Sequence, residues 1–337
     1  MSKIKIVRTD SELQCPAIDA QLRDLCDEFV LLPDGISEAD LLKATVDADL
    51  LLMCYTPITA AVIANARNLK GIVKYGVGID AINIPAAKSK GIPVVNVPEY
   101  AEETVAEAAF ALLLSLAKKL IPIDRGMHTA GWLWPLPDWI GSDIAGKTVG
   151  LIGVGRIGRS MARMAGAGFR AKVLGFDPNV SQSEMDKSGV EKCELAELLA
   201  RSDFVSVHCV LNTETKHIIG KQELAAMKKC AFLINVSRGA LVDEVALVEA
   251  LKAGEIAGAG LDVYSQEPLE LTSHPMSELF EMPNVILLPH LAFYTSESME
   301  RLTQDTIDRS KEILAGELVT VKSSDPRLRG QANCIYV

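Results

Sequence analysis

The segment Gly153-Val154-Gly155-Arg156-Ile157-Gly158 constrains this chain more than any other. It fits G-x-G-x-x-G, follows an apolar β-branched run at 148–152 and opens a proline-free, helix-compatible stretch at 159–169. The next apolar run, 172–176, ends at Asp177, 24 residues after Gly153. A strand, a glycine turn, a helix and an acidic strand end at that spacing make a dinucleotide-binding unit. The glycines permit the tight turn and the close approach of a diphosphate, which sits on a helix N-terminus. Asp177 would hold ribose hydroxyls and repel a 2′-phosphate, and Pro178-Asn179 brings no arginine to offset that charge. The pattern favours NAD over NADP.

Gly76-Val77-Gly78-Ile79-Asp80-Ala81 fits the same pattern but not the same context. Pro85 interrupts any long helix after it, and the next apolar run ends at the neutral Asn96. The amides of such a loop can cradle an anion without a cationic side chain. A substrate carboxylate is one reading of this turn; a tight strand-to-helix turn with no ligand is the other.

Apolar, β-branched runs alternate with helical stretches on both sides of these loops. Strands are expected at 4–7, 50–54, 71–74 and 93–97, with helices at 17–29, 38–46, 59–65 and 85–90. A long helix follows at 102–120. A second strand series runs 148–152, 172–176, 204–208, 231–236, 258–263 and 284–289, and a last helix at 296–314 leads into a polar tail. Alternation implies crossovers and parallel sheets, and continuous apolar strands imply burial on both faces. The length of 337 residues suits two domains.

Ligands of open α/β sheets bind beyond the carboxyl ends of the strands. In the second series, 231–236 is followed by Ser237-Arg238, 258–263 by Tyr264 to Glu267, and 284–289 by His290. An arginine, a glutamate and a histidine thus leave one sheet edge, where a nicotinamide would lie. That set suits carbonyl reduction. His290 would donate the proton, since imidazole titrates near neutral pH. Glu267 would stabilise the imidazolium. Arg238 would fork onto the carboxylate and carbonyl oxygen of a 2-keto acid. His208 also ends a strand, with a border on the cofactor and a structural role both open. No spacing suggests zinc, and no G-x-S-x-G elbow suggests a serine hydrolase.

These motifs resemble the D-specific 2-hydroxyacid dehydrogenase superfamily along nearly the whole chain. The likeness is carried by Tyr75-Gly76-Val77-Gly78-Ile79-Asp80, Glu103-Thr104-Val105-Ala106-Glu107, the 153–158 loop, Ile234 to Gly239, Gly260-Leu261-Asp262-Val263 with Glu267-Pro268, and Pro289-His290. The resemblance implies two doubly wound parallel-sheet α/β domains. A Rossmann NAD-binding domain (102–299) is inserted into a flavodoxin-like substrate domain (1–101 and 300–337), with a cleft that closes on substrate. It implies Arg238, Glu267 and His290 as the catalytic set, and the Val77 and Gly78 amides as holders of the substrate carboxylate. It places Thr104, Arg156, Ile157, Asp177, Val236 and Asp262 around NAD, Asp262 near the carboxamide. Gly153, Gly155, Gly158, His208, Val210, Ser237 and His290 complete the expected cofactor set. A homodimer through the nucleotide domain is also implied. His208-Cys209-Val210-Leu211 replaces the usual His-x-Pro-Leu, and Leu291-Ala292-Phe293-Tyr294-Thr295 looks like the D-lactate dehydrogenase relatives. The expected activity is NAD-dependent interconversion of a 2-keto acid and a D-2-hydroxy acid. A corepressor-like NADH sensor and a formate- or phosphite-type dehydrogenase are the alternatives of similar architecture.

A net charge of −10 argues against nucleic-acid and anionic-membrane partners. Seven scattered cysteines without C-x-x-C read as free thiols, and the N-terminus lacks a signal-peptide pattern, so a cytoplasmic location is expected. All three tryptophans, Trp132, Trp134 and Trp139, fall in one stretch, read as a dimer arm or as pocket wall.

Overall fold

A computed structural model describes residues 3–337. The chain divides into two compact units, Met1–Ala101 with Thr295–Val337, and Glu102–Tyr294. The return falls at Thr295 and not at residue 300. Thr295 caps helix Ser296–Ala315, its hydroxyl accepting from the Ser298 amide at 3.2 Å, so cap and helix form one body.

In the first unit β1 (Lys5–Arg8), β2 (Glu28–Leu31), β3 (Leu50–Met53), β4 (Gly71–Lys74) and β5 (Val94–Asn96) form a parallel sheet ordered β2-β1-β3-β4-β5. This is the flavodoxin-like order. Every residue of β3 and β4 is buried, which is why both read as unbroken apolar runs. The helix expected at 17–29 is shorter: it spans Pro16–Arg23, and its expected end belongs to β2. Phe29 and Val30 favour a strand, and the Ile4 carbonyl accepts from both the Asp27 and the Glu28 amides at the entry to β2. As a half-exposed edge strand, β2 lacks the continuous apolar signal.

In the second unit β6 (Thr148–Ile152), β7 (Lys172–Phe176), β8 (Glu191–Lys192), β9 (Phe204–Val207), β10 (Phe232–Asn235), β11 (Gly258–Leu261) and β12 (Val285–Leu287) are all parallel. Their order, β12-β11-β10-β9-β6-β7-β8, is that of a Rossmann sheet with one further strand. The strand order reverses between β6 and β9, so the crevice for a ligand opens beyond their carboxyl ends. The expected strands from 204 onward all end one or two residues early, because their last residues leave the ladder to build site loops. Helix Glu102–Ala117 buries Ala106, Ala109, Leu113 and Leu116 against this sheet. It does not run on to 120: Lys119 adopts φ 55°, and a second helix, Leu120–Ala130, begins. The helix after the glycine loop starts at Arg156 and widens to a π-turn at Met164–Gly168. In the polar tail of the first unit, β13 (Val319–Val321) pairs in parallel with β14 (Cys334–Tyr336). Among the described residues no helix is long and apolar enough to cross a membrane.

Candidate active site

The glycine loop leaves β6 at the switch point, and its three glycines answer to three constraints. Gly153 has φ 94°, and a Cβ there would stand 2.5 Å from the Cys209 amide beyond β9. A Cβ on Gly158 would stand 2.3 Å from the Gly153 carbonyl oxygen. Gly155 is different: nothing lies within 4 Å of its Cβ position. Two glycines let the loop pack, and the third keeps a gap open where a diphosphate can meet backbone amides. Asp177 follows β7 with both oxygens anchored, Oδ2 by the Val154 amide at 3.0 Å and Oδ1 by the Asn179 amide at 2.9 Å. Each oxygen keeps acceptor capacity for a ribose hydroxyl.

His208 follows β9 and is fixed through its amide to the Ile152 carbonyl at 2.7 Å. Its Nε2 meets the Ser206 hydroxyl at 2.9 Å, while its Nδ1 is buried without a partner. Burial lowers its pKa to about 4, so the ring is neutral. The open cradle at Gly155, the anchored carboxylate and this orphaned ring nitrogen fit a dinucleotide at the switch point. Of the other expected cofactor residues, Thr104 is buried in the first turn of its helix, and Ile157 is partly buried. Arg156 reaches Glu102 at 3.0 Å. Val236 is buried, Ser237 donates to the Val207 carbonyl at 3.0 Å, and Val210 is exposed.

His290 and Glu267 come together as the sequence suggested: Nδ1 of His290 meets Oε2 of Glu267 at 2.8 Å. The other oxygen, Oε1, accepts from the Tyr264 amide at 3.0 Å. Burial pushes the Glu267 carboxyl up. The bond and charge of His290, the Tyr264 amide and the Arg238 guanidinium outweigh it and hold the group below its ordinary value. With Nδ1 engaged by Glu267, any proton exchange at His290 would run through Nε2.

The turn that presents His290 is built on Asp262, which is 1% exposed. Its Oδ1 accepts from the Leu291 amide at 2.8 Å and its Oδ2 from the Ala292 amide at 3.0 Å, while its carbonyl takes the His290 amide at 2.8 Å. These bonds hold His290 at φ 57°, a region non-glycine residues seldom enter and one that recurs at functional turns. Burial raises the Asp262 carboxyl above its usual value, against the pull of the two amides and of His290.

Arg238 lies on the loop after β10, its carbonyl accepting from the Asn235 side chain at 2.9 Å. The next residue, Gly239, packs directly on the Glu267 loop: a Cβ there would stand 2.0 Å from the Tyr264 carbonyl carbon and 2.1 Å from the Ser265 amide nitrogen. Sequence reasoning missed this contact. It also missed His274, whose Nε2 donates to the Gln266 carbonyl at 3.0 Å and whose Nδ1 accepts from the Met276 amide at 3.0 Å. Tyr264 closes the loop by donating to the Leu288 carbonyl at 2.9 Å. No spacing in the chain announces any of these supports.

In the other unit, the first glycine turn follows β4. Gly76 has φ 144°, and the Val77 carbonyl accepts from the Asn96 side chain at 2.6 Å. Among the described residues, the Val77 and Gly78 amides donate to no group.

Comparison with known proteins yields a consistent set of relatives. The model of the D-isomer specific 2-hydroxyacid dehydrogenase NAD binding domain matches residues 110–292. A glyoxylate reductase of Korarchaeum cryptofilum is 39% identical over 286 residues, 84% of this chain and 84% of that protein. A D-3-phosphoglycerate dehydrogenase of Mycobacterium leprae is 39% identical over 287 residues, 85% of this chain but 53% of that protein, so the chain spans about half of that relative's length. The structure of the Aquifex aeolicus D-lactate dehydrogenase with NAD and lactic acid superimposes with a TM-score of 0.80 at 31% identity, covering 92% of this chain and 96% of that one.

Proposed function

The chain belongs to the D-isomer specific 2-hydroxyacid dehydrogenase family, and from that premise we propose that it reduces a small 2-keto acid to the D-2-hydroxy acid with NADH. The Glu267–His290 pair, closed at 2.8 Å on the sheet edge that carries the glycine loop, is the observation that carries this reading. A bound reduced nicotinamide supplies the hydride that reaches the keto carbon. His290 delivers the proton from Nε2 to the carbonyl oxygen and, in the reverse direction, takes it from the hydroxyl. Glu267 fixes the Nδ1–H tautomer and balances the imidazolium. Arg238 forks onto the carboxylate and carbonyl oxygen, orienting the carbon for attack and stabilising charge on the oxygen. The Val77 and Gly78 amides, without acceptors of their own, suit the carboxylate. Asp177, already holding two amides, favours ribose hydroxyls over a 2′-phosphate, which is the basis for preferring NADH to NADPH.

The reading includes a homodimer. Helix Leu120–Ala130 has no buried residue and exposes Leu120, Ile121 and Met127, and in the segment after it Trp132, Trp134 and Ile140 are 75%, 77% and 76% exposed. So many exposed large apolar side chains in one stretch of chain suit an association site.

The chemical assignment is tested by His290→Ala. Turnover is expected to fall by at least about a thousandfold, general acid catalysis and the loss of its geometry combining. NADH affinity should stay within about threefold. Joint loss of turnover and NADH binding would refute the proton-donor role.

A further inference from the structure

Lys74 ends β4 immediately before the Tyr75-Gly76-Val77-Gly78 turn, and it is 5% exposed. Its Nζ donates to the Cys54 carbonyl at 2.7 Å and to the Cys54 sulfur at 2.9 Å, and it lies 5.3 Å from the centre of the Tyr55 ring. Among the described residues no carboxylate pairs with it. Asp10, the acidic group on the same sheet edge, bonds other partners. Its Oδ1 accepts from the Thr56 amide at 3.0 Å and hydroxyl at 2.6 Å, and its Oδ2 from the Cys54 and Tyr55 amides at 2.7 and 3.1 Å and the Thr9 hydroxyl at 2.5 Å. Nor does the thiol supply a charge. Burial holds Cys54 above its ordinary range against the pull of Lys74, and its proton goes to the Tyr75 carbonyl at 3.5 Å.

A buried cation with no carboxylate bonded to it is costly. Its position gives it a use. A Cβ on Gly76 would stand 3.0 Å from Nζ, so the charge sits directly behind the turn whose next two amides have no acceptor. Two unsatisfied amides with a positive charge behind them make an anion cradle.

We infer that Lys74 is a positioning residue for the substrate's carboxylate, setting the potential at the Val77–Gly78 turn without touching the substrate. The inference rests on the keto-acid reading above and adds to it a residue and a criterion: the site selects the charge of the carboxylate as well as its shape.

The test compares an acid with its uncharged ester. The wild type and K74M are assayed with the fastest of glyoxylate, pyruvate, hydroxypyruvate and phenylpyruvate, and with the methyl ester of the same acid. In K74M the KM for the acid should rise about tenfold, as expected for losing one partly screened charge several ångströms away. The KM for the ester and both kcat values should stay within about threefold. K74R, which keeps the charge, should restore the KM of the acid. Equal shifts for acid and ester would mean a structural role and overturn the inference, as would no shift at all. Should neither variant fold, the ammonium resonance of Lys74 in 15N-lysine-labelled wild type decides. It should move when oxamate joins the NADH complex and stay in place with the methyl ester; an unmoved resonance overturns the inference. Absence of turnover with every keto acid in the wild type would refute both the reductase reading and this inference, whereas turnover with an unshifted acid-to-ester ratio refutes the Lys74 role alone.

Discussion

Replacing Gly155 by alanine separates what the nucleotide loop does for folding from what it does for binding. Gly155 has φ −75° and ψ −157°, which alanine adopts without strain, and no atom lies within 4 Å of its Cβ position. Stability should therefore hold or rise by about 0.4–1 kcal/mol, since alanine narrows the unfolded ensemble. The added methyl would occupy the gap assigned to the diphosphate. Forcing a group of that size into a filled space costs about 1–3 kcal/mol, which is about a 5- to 150-fold rise in the Kd for NADH. Gly158→Ala serves as the opposite control. Its Cβ would stand 2.3 Å from the Gly153 carbonyl oxygen, so it should fail in stability before binding is reached. NADH fluorescence titration beside thermal unfolding reads both effects. A Gly155→Ala protein that binds NADH as tightly as the wild type would refute the placement of the diphosphate.

Gly239→Ala should lower Tm and cut kcat by about a hundredfold, because its Cβ would meet the Tyr264 carbonyl carbon at 2.0 Å and push the Glu267 loop away by more than about 1 Å; retained kcat would show the two loops to be independent. His208, with a pKa lowered to about 4 in the folded chain, is protonated first in the unfolded one. Its contribution to stability is full above about pH 6.5 and declines toward pH 4, by about 3 kcal/mol in all. Urea unfolding across that window should show the slope in the wild type and lose it in His208→Gln; equal slopes would contradict the neutral ring. Trp132→Ser combined with Trp134→Ser should shift sedimentation from dimer to monomer, and an unchanged profile would remove the arm from the interface.

The placing of the trio proposed as catalytic was legible because topology does much of the work. In a parallel sheet every strand ends on one edge, so locating β10, β11 and β12 was enough to bring Arg238, Glu267 and His290 to it. β10 and β11 read clearly because burial on both faces leaves no polar break, and the half-buried edge strand β12 is an unbroken apolar run. β2 and β8 did not: one is a half-exposed edge, the other only Glu191–Lys192. The site's supports were hidden for another reason. Asp262 holding two amides, His274 bracing Gln266 and Gly239 pressed on Tyr264 are contacts between distant segments, and no spacing rule encodes them. Lys74 is the sharpest case. A lysine at the end of an apolar strand reads as a solvated terminus, and its burial against Cys54 appears only once β3 and β4 lie side by side.

The central claim is chemical: this sheet edge transfers a hydride to, and a proton onto, a 2-keto acid. The most direct test is oxidation of NADH and NADPH by the wild type, followed by absorbance, with glyoxylate, hydroxypyruvate, pyruvate, 2-ketoisocaproate and phenylpyruvate, and with formate and phosphite tested against NAD in the opposite direction. The account predicts turnover with at least one keto acid, faster with NADH than with NADPH. Tight NADH binding without turnover of any keto acid would contradict it and favour a sensor, and NADH production from formate or phosphite would favour a different oxidation at the same site.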